Sequence, residues 1–267
     1  MINRILKPVL ERLPENNRLE RIWVLAKTDF LKRYYGSFLG VLWALINPFF
    51  QIAIYYSVFT LVFASKQENF ALFLFLGLIL EMFFSETSSI GLNIIRGKRH
   101  VLENIKIKWL DVYYAGTLST FFAFVFNLLI YFIISFFTGV SYSVASFYAA
   151  PLLFLNLLVL GFSFQVLLST IQIYLRDVVH LWDMVKLMIL WLSGIFYTID
   201  PSPGSDTEVL AFLTPVAGIV YNSRQALLYD KPVDWSLVLY DWIYTLIILG
   251  ISLMVFSKFV RKALEKI

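Results

Sequence analysis

The longest stretch of this sequence without a charged side chain runs for 64 residues, from Val112 to Leu175. A helix needs about 20 mostly apolar residues to cross roughly 30 Å of hydrocarbon. The stretch is therefore too long for one crossing and fits two, joined by a turn at Thr138-Gly139-Val140-Ser141. This pattern predicts an integral membrane protein of the all-α class.

The rest of the chain repeats the apolar pattern. Hydrophobic residues make up 60% of the sequence and charged residues only 15%, against about 25% in ordinary soluble chains. A soluble fold of this length would need more polar surface than the sequence supplies. A single transmembrane domain over residues 1–267 is expected. Its six predicted transmembrane helices lie at about 38–64, 70–95, 112–137, 145–173, 178–198 and 236–257.

Lysine and arginine are distributed unequally between the two sides of such a bundle. The N-terminal segment, the loop after span two, the region after span four and the C-terminus together hold 19 of them. The remaining connections hold only Lys66, Arg224 and Lys231. Because basic connections stay in the cytoplasm, both termini are predicted to be cytoplasmic.

Three segments are predicted not to span the membrane. Residues 18–34 read as an amphipathic helix along the inner membrane surface. This helix is either a simple anchor on anionic lipid or an anchor that also contacts a cytoplasmic partner. Residues 96–110 form a basic cytoplasmic loop with a short surface helix. The external segment 201–235 is expected to hold two short re-entrant helices between spans five and six.

Several kinds of chemistry are excluded by the residues themselves. The chain has no cysteine and only two histidines far apart in sequence, so no metal site is predicted. The net charge of +4 is clustered at the ends of apolar runs and does not indicate nucleic-acid binding. The string from Gly91 to Lys98 has the wrong spacing for a phosphate-binding loop, and Arg99 stands where Ser or Thr is needed. Any use of ATP therefore requires another chain.

An ordered set of short motifs runs along the chain: Lys32–Pro48, Phe84-Ser85-Glu86, Tyr174-Leu175-Arg176-Asp177, Trp191-Leu192-Ser193 with Phe196-Tyr197, Thr214-Pro215 and Tyr221-Asn222-Ser223-Arg224. This set resembles one family, the ABC-2-type transporter permeases. It is most similar to the branch that exports O-antigen, capsular polysaccharide and teichoic acid. The sequence departs from the family pattern in three places: the loop at 105–110 lacks the usual prolines, Gly194 replaces a proline, and Thr214 replaces an asparagine. The resemblance covers residues 20–260.

The resemblance implies a homodimer of six-helix subunits in the bacterial cytoplasmic (inner) membrane. Two copies of a separately encoded ATP-binding cassette subunit would bind ATP and Mg²⁺ and drive it. The passenger would be a glycan on an undecaprenyl lipid, and this chain would have no catalytic residues. The alternatives are an exporter of a drug, peptide or lipid, a membrane glycosyltransferase or ligase that uses acids of the external loop, and a channel or receptor without an ATPase.

Candidate site residues follow from the resemblance and from the chemistry of the side chains. Aromatic rings give sugars a weak, non-directional contact surface, and Glu86 is expected either to line a hydrated path or to be capped by Ser85, Ser88 or a neighbouring helix. Arg176-Asp177 is either an ion pair at a helix end or part of the ATPase contact. The substrate-pathway set is Tyr34, Tyr35, Tyr55, Tyr56, Phe59 and Glu86. The ATPase-coupling set is Arg33, Arg99, Glu103, Lys106, Trp109, Arg176 and Asp177, and the outer-gate set is Pro215, Tyr221 and Arg224.

Overall fold

The computed structural model describes residues 17–62, 69–98 and 108–264, and this part of the chain is α-helical without a β-strand. A single 3₁₀ turn, Gly40–Leu42, precedes the second helix. The helices are α1 (Arg18–Tyr34), α2 (Trp43–Leu61), α3 (Phe70–Gly97), α4 (Trp109–Phe137), α5 (Val144–Tyr174), α6 (Val178–Leu192), α7 (Glu208–Leu213), α8 (Pro215–Leu227) and α9 (Trp235–Leu264).

Five segments of the described chain are long and apolar enough to cross a membrane: Gly40–Leu61, Phe70–Ile95, Trp109–Phe137, Tyr148–Tyr174 and Trp235–Lys258. They correspond to the first, second, third, fourth and sixth predicted spans. The fifth predicted span, 178–198, coincides with α6, which has only 15 residues and is about 22 Å long. The chain turns away at Gly194, whose φ of +68° lies in the left-handed region. A sixth crossing therefore stays a prediction.

The centre of the bundle is α3, the most deeply buried of the five spanning segments. It packs on α4 and α5, and small residues bring the α3 and α5 backbones close together. A Cβ on Gly91 of α3 would collide with the backbone of Gln165 in α5. Gly161 of α5 likewise faces Thr87 of α3, and a Cβ added to Gly161 would lie 3.1 Å from Thr87 Cγ2. Two helices in such close contact hold each other as one unit.

Helices α5 and α9 run side by side in the same direction. Thr245 Oγ1 donates to Asn156 Oδ1 at 2.6 Å, and Ser252 Oγ donates to the Ser163 carbonyl at 2.8 Å. Both pairs are separated by 89 residues, so the register is constant and the two helices are parallel. Hydrogen bonds of this kind hold helices together where apolar lipid supplies no hydrophobic driving force.

Helix α1 begins at Asn17, whose side chain accepts a hydrogen bond from the Glu20 amide at 3.3 Å. Its buried side chains, Leu25, Ala26 and Phe30, pack against α4 and its neighbours. The predicted amphipathic helix at 18–34 is thus present as a helix with one face covered by protein. Its position on a membrane surface stays a prediction.

Two short helices, α7 and α8, lie between α6 and α9, in the segment where two were expected. Thr214 caps α8 by accepting from the Ala217 amide at 3.3 Å, and Pro215 occupies the first helical position, where its missing N–H costs nothing. Helix α8 is almost entirely buried against α3, α5 and α9. Whether the pair is re-entrant depends on where the membrane lies, so that part of the expectation stays a prediction.

Candidate functional site

Three ion pairs tie α1 to the bundle. Arg18 Nε contacts Asp111 Oδ1 at 2.7 Å at the start of α4. Near the other end of α1, Arg33 Nη1 contacts Glu86 Oε2 of α3 at 3.0 Å. Between them Asp29 pairs with Lys98 at the end of α3. The pairs are spread along the whole helix and join α1 to both α3 and α4.

The Arg33–Glu86 pair joins residues from two different predicted sets. Arg33 also donates from Nη2 to Ser119 Oγ of α4 at 3.1 Å, so its guanidinium bridges two helices. Of the alternatives left open for Glu86, the structure places a neighbouring helix, α1, against its carboxylate. Arg33 therefore reaches into the bundle, and its expected contact with an ATPase stays a prediction.

An open cavity of about 330 Å³ lies beside this ion pair, bordered by α1, α2, α3 and α4. We call it the α2–α4 cavity. Of the predicted pathway residues, Tyr34 and Glu86 line it. Burial raises the pKa of Tyr34, so its phenol stays protonated and can donate a hydrogen bond at neutral pH. Its lining residues are Tyr34, Trp43, Ala44, Asn47, Pro48, Phe50, Gln51, Ile54, Ile79, Met82, Phe83, Glu86, Thr120, Ala123, Phe124 and Asn127.

The other predicted pathway residues lie elsewhere. Tyr55 and Phe59 of α2 pack on Phe196, with ring centroids 4.8 Å and 5.2 Å away, so they fix α2 against the segment after α6. Tyr35 and Tyr56 are exposed on the surface of the subunit. The six residues thus form no single wall within one subunit.

The ATPase-coupling set is only partly visible. Arg99, Glu103 and Lys106, with most of the 96–110 loop, lie outside the described residues. Trp109 opens α4 and packs, half-buried, on the apolar cluster that contains Leu25 and Ala26 of α1. Arg176 and Asp177 are both exposed in the turn between α5 and α6. Each described member is therefore near α1 or on an exposed turn, where a partner can reach it.

Arg224 of α8 is the most heavily bonded residue of the outer-gate set. It is 4% exposed and donates to three backbone carbonyls: Phe73 at 3.0 and 3.2 Å, Gly194 at 2.5 Å and Ile195 at 2.8 Å. Its guanidinium carbon also lies 3.3 Å from the centre of the Phe73 ring. The carbonyls of Gly194 and Ile195 follow the end of α6, where the helix dipole favours a cation. Arg224 thus joins α8, α3 and the end of α6.

The remaining gate residues sit near Arg224. Pro215 is buried at the start of α8, and Tyr221 is half-buried one turn before Arg224. Gly77 of α3 leaves the space that the guanidinium occupies, because a Cβ there would lie 2.5 Å from Arg224 Nη2. Sequence reasoning missed Gly77, Asp111 and Asn127. Asn127 had a detectable signal, since an amide in the middle of a long charge-free run needs a partner.

The comparisons with known proteins agree with this architecture. The model of the ABC-2 type transporter family matches residues 20–228, and the chain belongs to this family. Two proteins named O-antigen export system permease protein RfbA, both from Klebsiella pneumoniae, are 20% and 22% identical to it, each over 88% of this chain and 90% of their own length. A protein of the same name from Myxococcus xanthus is 25% identical over 77% of this chain and 79% of its own. The family is that of a multi-pass membrane transport subunit without a catalytic domain of its own.

Proposed function

We propose that this chain is the permease subunit of an exporter that moves a lipid-linked polysaccharide of the O-antigen, capsule or teichoic acid type across the bacterial cytoplasmic membrane. The energy comes from ATP hydrolysis, with Mg²⁺, in two copies of a separate ATP-binding subunit. Three relatives named as O-antigen export permeases support the substrate class. A drug or lipid exporter of the same family is the alternative.

The observation that carries the proposal is the set of ion pairs that tie α1 to α3 and α4. A subunit without its own nucleotide site needs an element that receives the motion of a motor and passes it into the membrane helices. Helix α1 meets this requirement, because Arg18, Asp29 and Arg33 each bind a different point of the bundle. Both termini and α1 then lie on the cytoplasmic side, where the ATPase binds.

A homodimer is part of the proposal. Helix α2 is the least buried of the spanning segments, and the surface of α6 exposes Leu181, Met184, Leu187, Met188 and Trp191. In a membrane such apolar side chains are covered either by lipid or by another subunit. The proposal assigns those of α2 and α6 to a second copy of the chain. A second copy placed there would form the walls of a pore between the two subunits.

The test is reconstitution of this chain with its proposed ATP-binding subunit. Radiolabelled undecaprenyl-linked glycan would be incorporated into the outward-facing, cytoplasmic leaflet of inside-out membrane vesicles. ATP-dependent protection of the glycan by transfer into the lumen would then be measured. We expect protection with ATP and none with a non-hydrolysable analogue. A complex that hydrolyses ATP but protects a labelled drug or phospholipid instead of the glycan would contradict the substrate class. An ATP-binding subunit that does not bind this chain would contradict the coupling.

A further inference from the structure

We propose that the α2–α4 cavity is a binding site for a single uncharged sugar residue of the passenger. The inference rests on the proposed function. It places a sugar-binding site inside each subunit, in addition to the proposed pore between the two subunits. The cavity volume of about 330 Å³ lies at the lower end of the ~300–1,000 Å³ typical of small-molecule sites. It is therefore sized for one short unit of a polymer and not for the length of a chain.

The hydrogen-bonding capacity of Asn127 indicates what the ligand must supply. Asn127 is 6% exposed, and its Nδ2 donates to the carbonyls of Ala44 at 3.2 Å and Ala123 at 2.9 Å. Its Oδ1 is buried and has no hydrogen-bond partner in the described part of the chain. A buried acceptor without a partner costs about 1–3 kcal/mol. A hydroxyl group that donates to Oδ1 would remove this cost.

The charge of the cavity selects against an anion. Among the described residues that line the cavity, Glu86 is the only Asp, Glu, Lys, Arg or His, and Arg33 already pairs with it at 3.0 Å. The walls thus present no unpaired cation for a phosphate, and a diphosphate would face the Glu86 carboxylate. A neutral polyol meets no such repulsion. The pyrophosphate of a lipid carrier is therefore not the expected occupant.

The remaining lining residues match the two kinds of surface on a sugar ring. Asn47 and Gln51, both on the exposed side of α2, offer amide donors and acceptors to hydroxyl groups. Trp43, Phe50 and Tyr34 offer aromatic faces to the apolar C–H face of a pyranose. Gln51 is exposed and Asn127 is buried, so the lining carries amide groups on both its open and its buried side.

The experiment is saturation-transfer NMR on the detergent-solubilised complex of this chain with its ATP-binding subunit. The probes are free glucose, galactose, rhamnose and N-acetylglucosamine, with inorganic pyrophosphate followed by ³¹P linewidth. We expect transfer to the ring protons of at least one sugar and no change for pyrophosphate. The variants Asn127→Leu and Gln51→Leu should each weaken the sugar signal about fivefold, the cost of one hydrogen bond. Leu129→Ala, on an exposed position of α4 outside the cavity, is the matched control and should leave it unchanged.

Gln51→Leu keeps the test decisive if Asn127→Leu fails to fold, because Gln51 is exposed. Absence of transfer to every sugar, equal signals in wild type and Gln51→Leu, or broadening by pyrophosphate alone would each overturn the inference. ATP-dependent transport by the same preparation is measured in parallel. Transport of the glycan without a sugar signal would overturn this site and leave the proposed function intact.

Discussion

Single ionised side chains connect helices of this protein at places where apolar contacts alone would not fix their positions. Asp111 is fully buried, and Arg18 supplies its counter-charge from a helix 93 residues away in sequence. Removing one partner of a buried pair leaves an uncompensated charge, which costs more than the pair itself contributes. Arg224 is different, since carbonyl groups and a helix end balance its charge. In the described chain, a buried charge is therefore balanced by a side chain of opposite charge at Asp111 and by backbone dipoles at Arg224.

The Arg33–Glu86 pair should show a measurable coupling free energy. In a double-mutant cycle with Arg33→Ala and Glu86→Ala, we expect about 1 kcal/mol, because both side chains remain partly exposed, at 26% and 43%. The measurement is unfolding of the detergent-solubilised variants. The control cycle is Asp183–Lys186 on α6, an i,i+3 pair at 2.9 Å within one helix, with an expected coupling of a few tenths of a kcal/mol. Equal coupling in the two cycles would contradict a bridging role for Arg33.

Gly77→Ala should destabilise the protein through Arg224. The new Cβ would lie 2.5 Å from Nη2 and would push the guanidinium off its carbonyl partners, at a cost of about 1–3 kcal/mol. The control is Gly250→Ala in α9, where a Cβ meets no described heavy atom within 4 Å. Alanine there should be neutral or stabilise the helix by up to about 1 kcal/mol. Thermal unfolding that is the same for both variants would show that Arg224 is not held against α3.

At the scale of elements, hydropathy predicts helices well and their ends less well. Five apolar runs correspond to spanning helices, because lipid leaves a long apolar run almost no other structure. The span predicted at 178–198 extends past Ile195 and Phe196, yet the helix stops at Leu192, since Gly194 adopts a left-handed conformation. Helix ends depend on such local backbone choices. The Arg33–Glu86 pair could not be predicted, because it depends on how α1 packs across 53 residues of sequence.

The backbone partners of Arg224 were equally inaccessible from sequence. A carbonyl group is present at every residue, so a guanidinium that binds carbonyls leaves no pattern in the residue types. The resemblance to the family placed Arg224 in the outer-gate set with Pro215 and Tyr221 but did not indicate which groups it binds. Gly77 shows the same limit, since a glycine within a helix has several possible causes.

The loop between α4 and α5 is held to the loop between α8 and α9 by Asp230. Its Oδ1 accepts from the Ser143 amide at 2.7 Å and from Ser146 Oγ at 3.1 Å, and these hydrogen bonds, those from Ser143 first, lower the pKa of Asp230. A lowered pKa means that the stabilisation is fully present above the unfolded value near 3.9 and is lost as pH falls through the folded value. Protection of the Ser143 amide should therefore be constant from pH 7 to 5 and fall below about pH 4.

Hydrogen–deuterium exchange, corrected for intrinsic rates, measures this protection. Asp230→Asn should weaken it at neutral pH and abolish its dependence on pH. Asparagine tolerates the φ of +51° at this position, so the backbone stays unstrained. Asp206→Asn, in an exposed loop, is the control and should behave as wild type. Protection in Asp230→Asn that still falls at acid pH would assign the effect to another group.

At the scale of the whole molecule, whether α6 crosses the membrane decides on which side the loops after it and the C-terminus lie. Trp182 Nε1 donates to Ser88 Oγ of α3 at 3.1 Å, while Arg224 joins the Gly194 and Ile195 carbonyls to Phe73 of α3. Ser88 and Phe73 are about 22 Å apart along α3. Helix α6 therefore runs antiparallel to most of α3 despite its short length. If α6 crosses the whole membrane over this distance of about 22 Å, the chain crosses an even number of times and both termini lie on the same side.

Cysteine labelling can decide the number of crossings, because the natural sequence contains no cysteine and every label reports one introduced site. The single variants are Ser141→Cys between α4 and α5, Asp177→Cys before α6 and Asp206→Cys after it, all at exposed positions. With a membrane-impermeant maleimide on intact spheroplasts, we expect Ser141→Cys and Asp206→Cys to react. Asp177→Cys should react only after permeabilisation, since basic connections stay in the cytoplasm. If Asp206→Cys instead behaves like Asp177→Cys, α6 does not cross the membrane. That result would also contradict the parallel directions of α5 and α9, because two parallel spanning helices require the chain to return to the outer side between them.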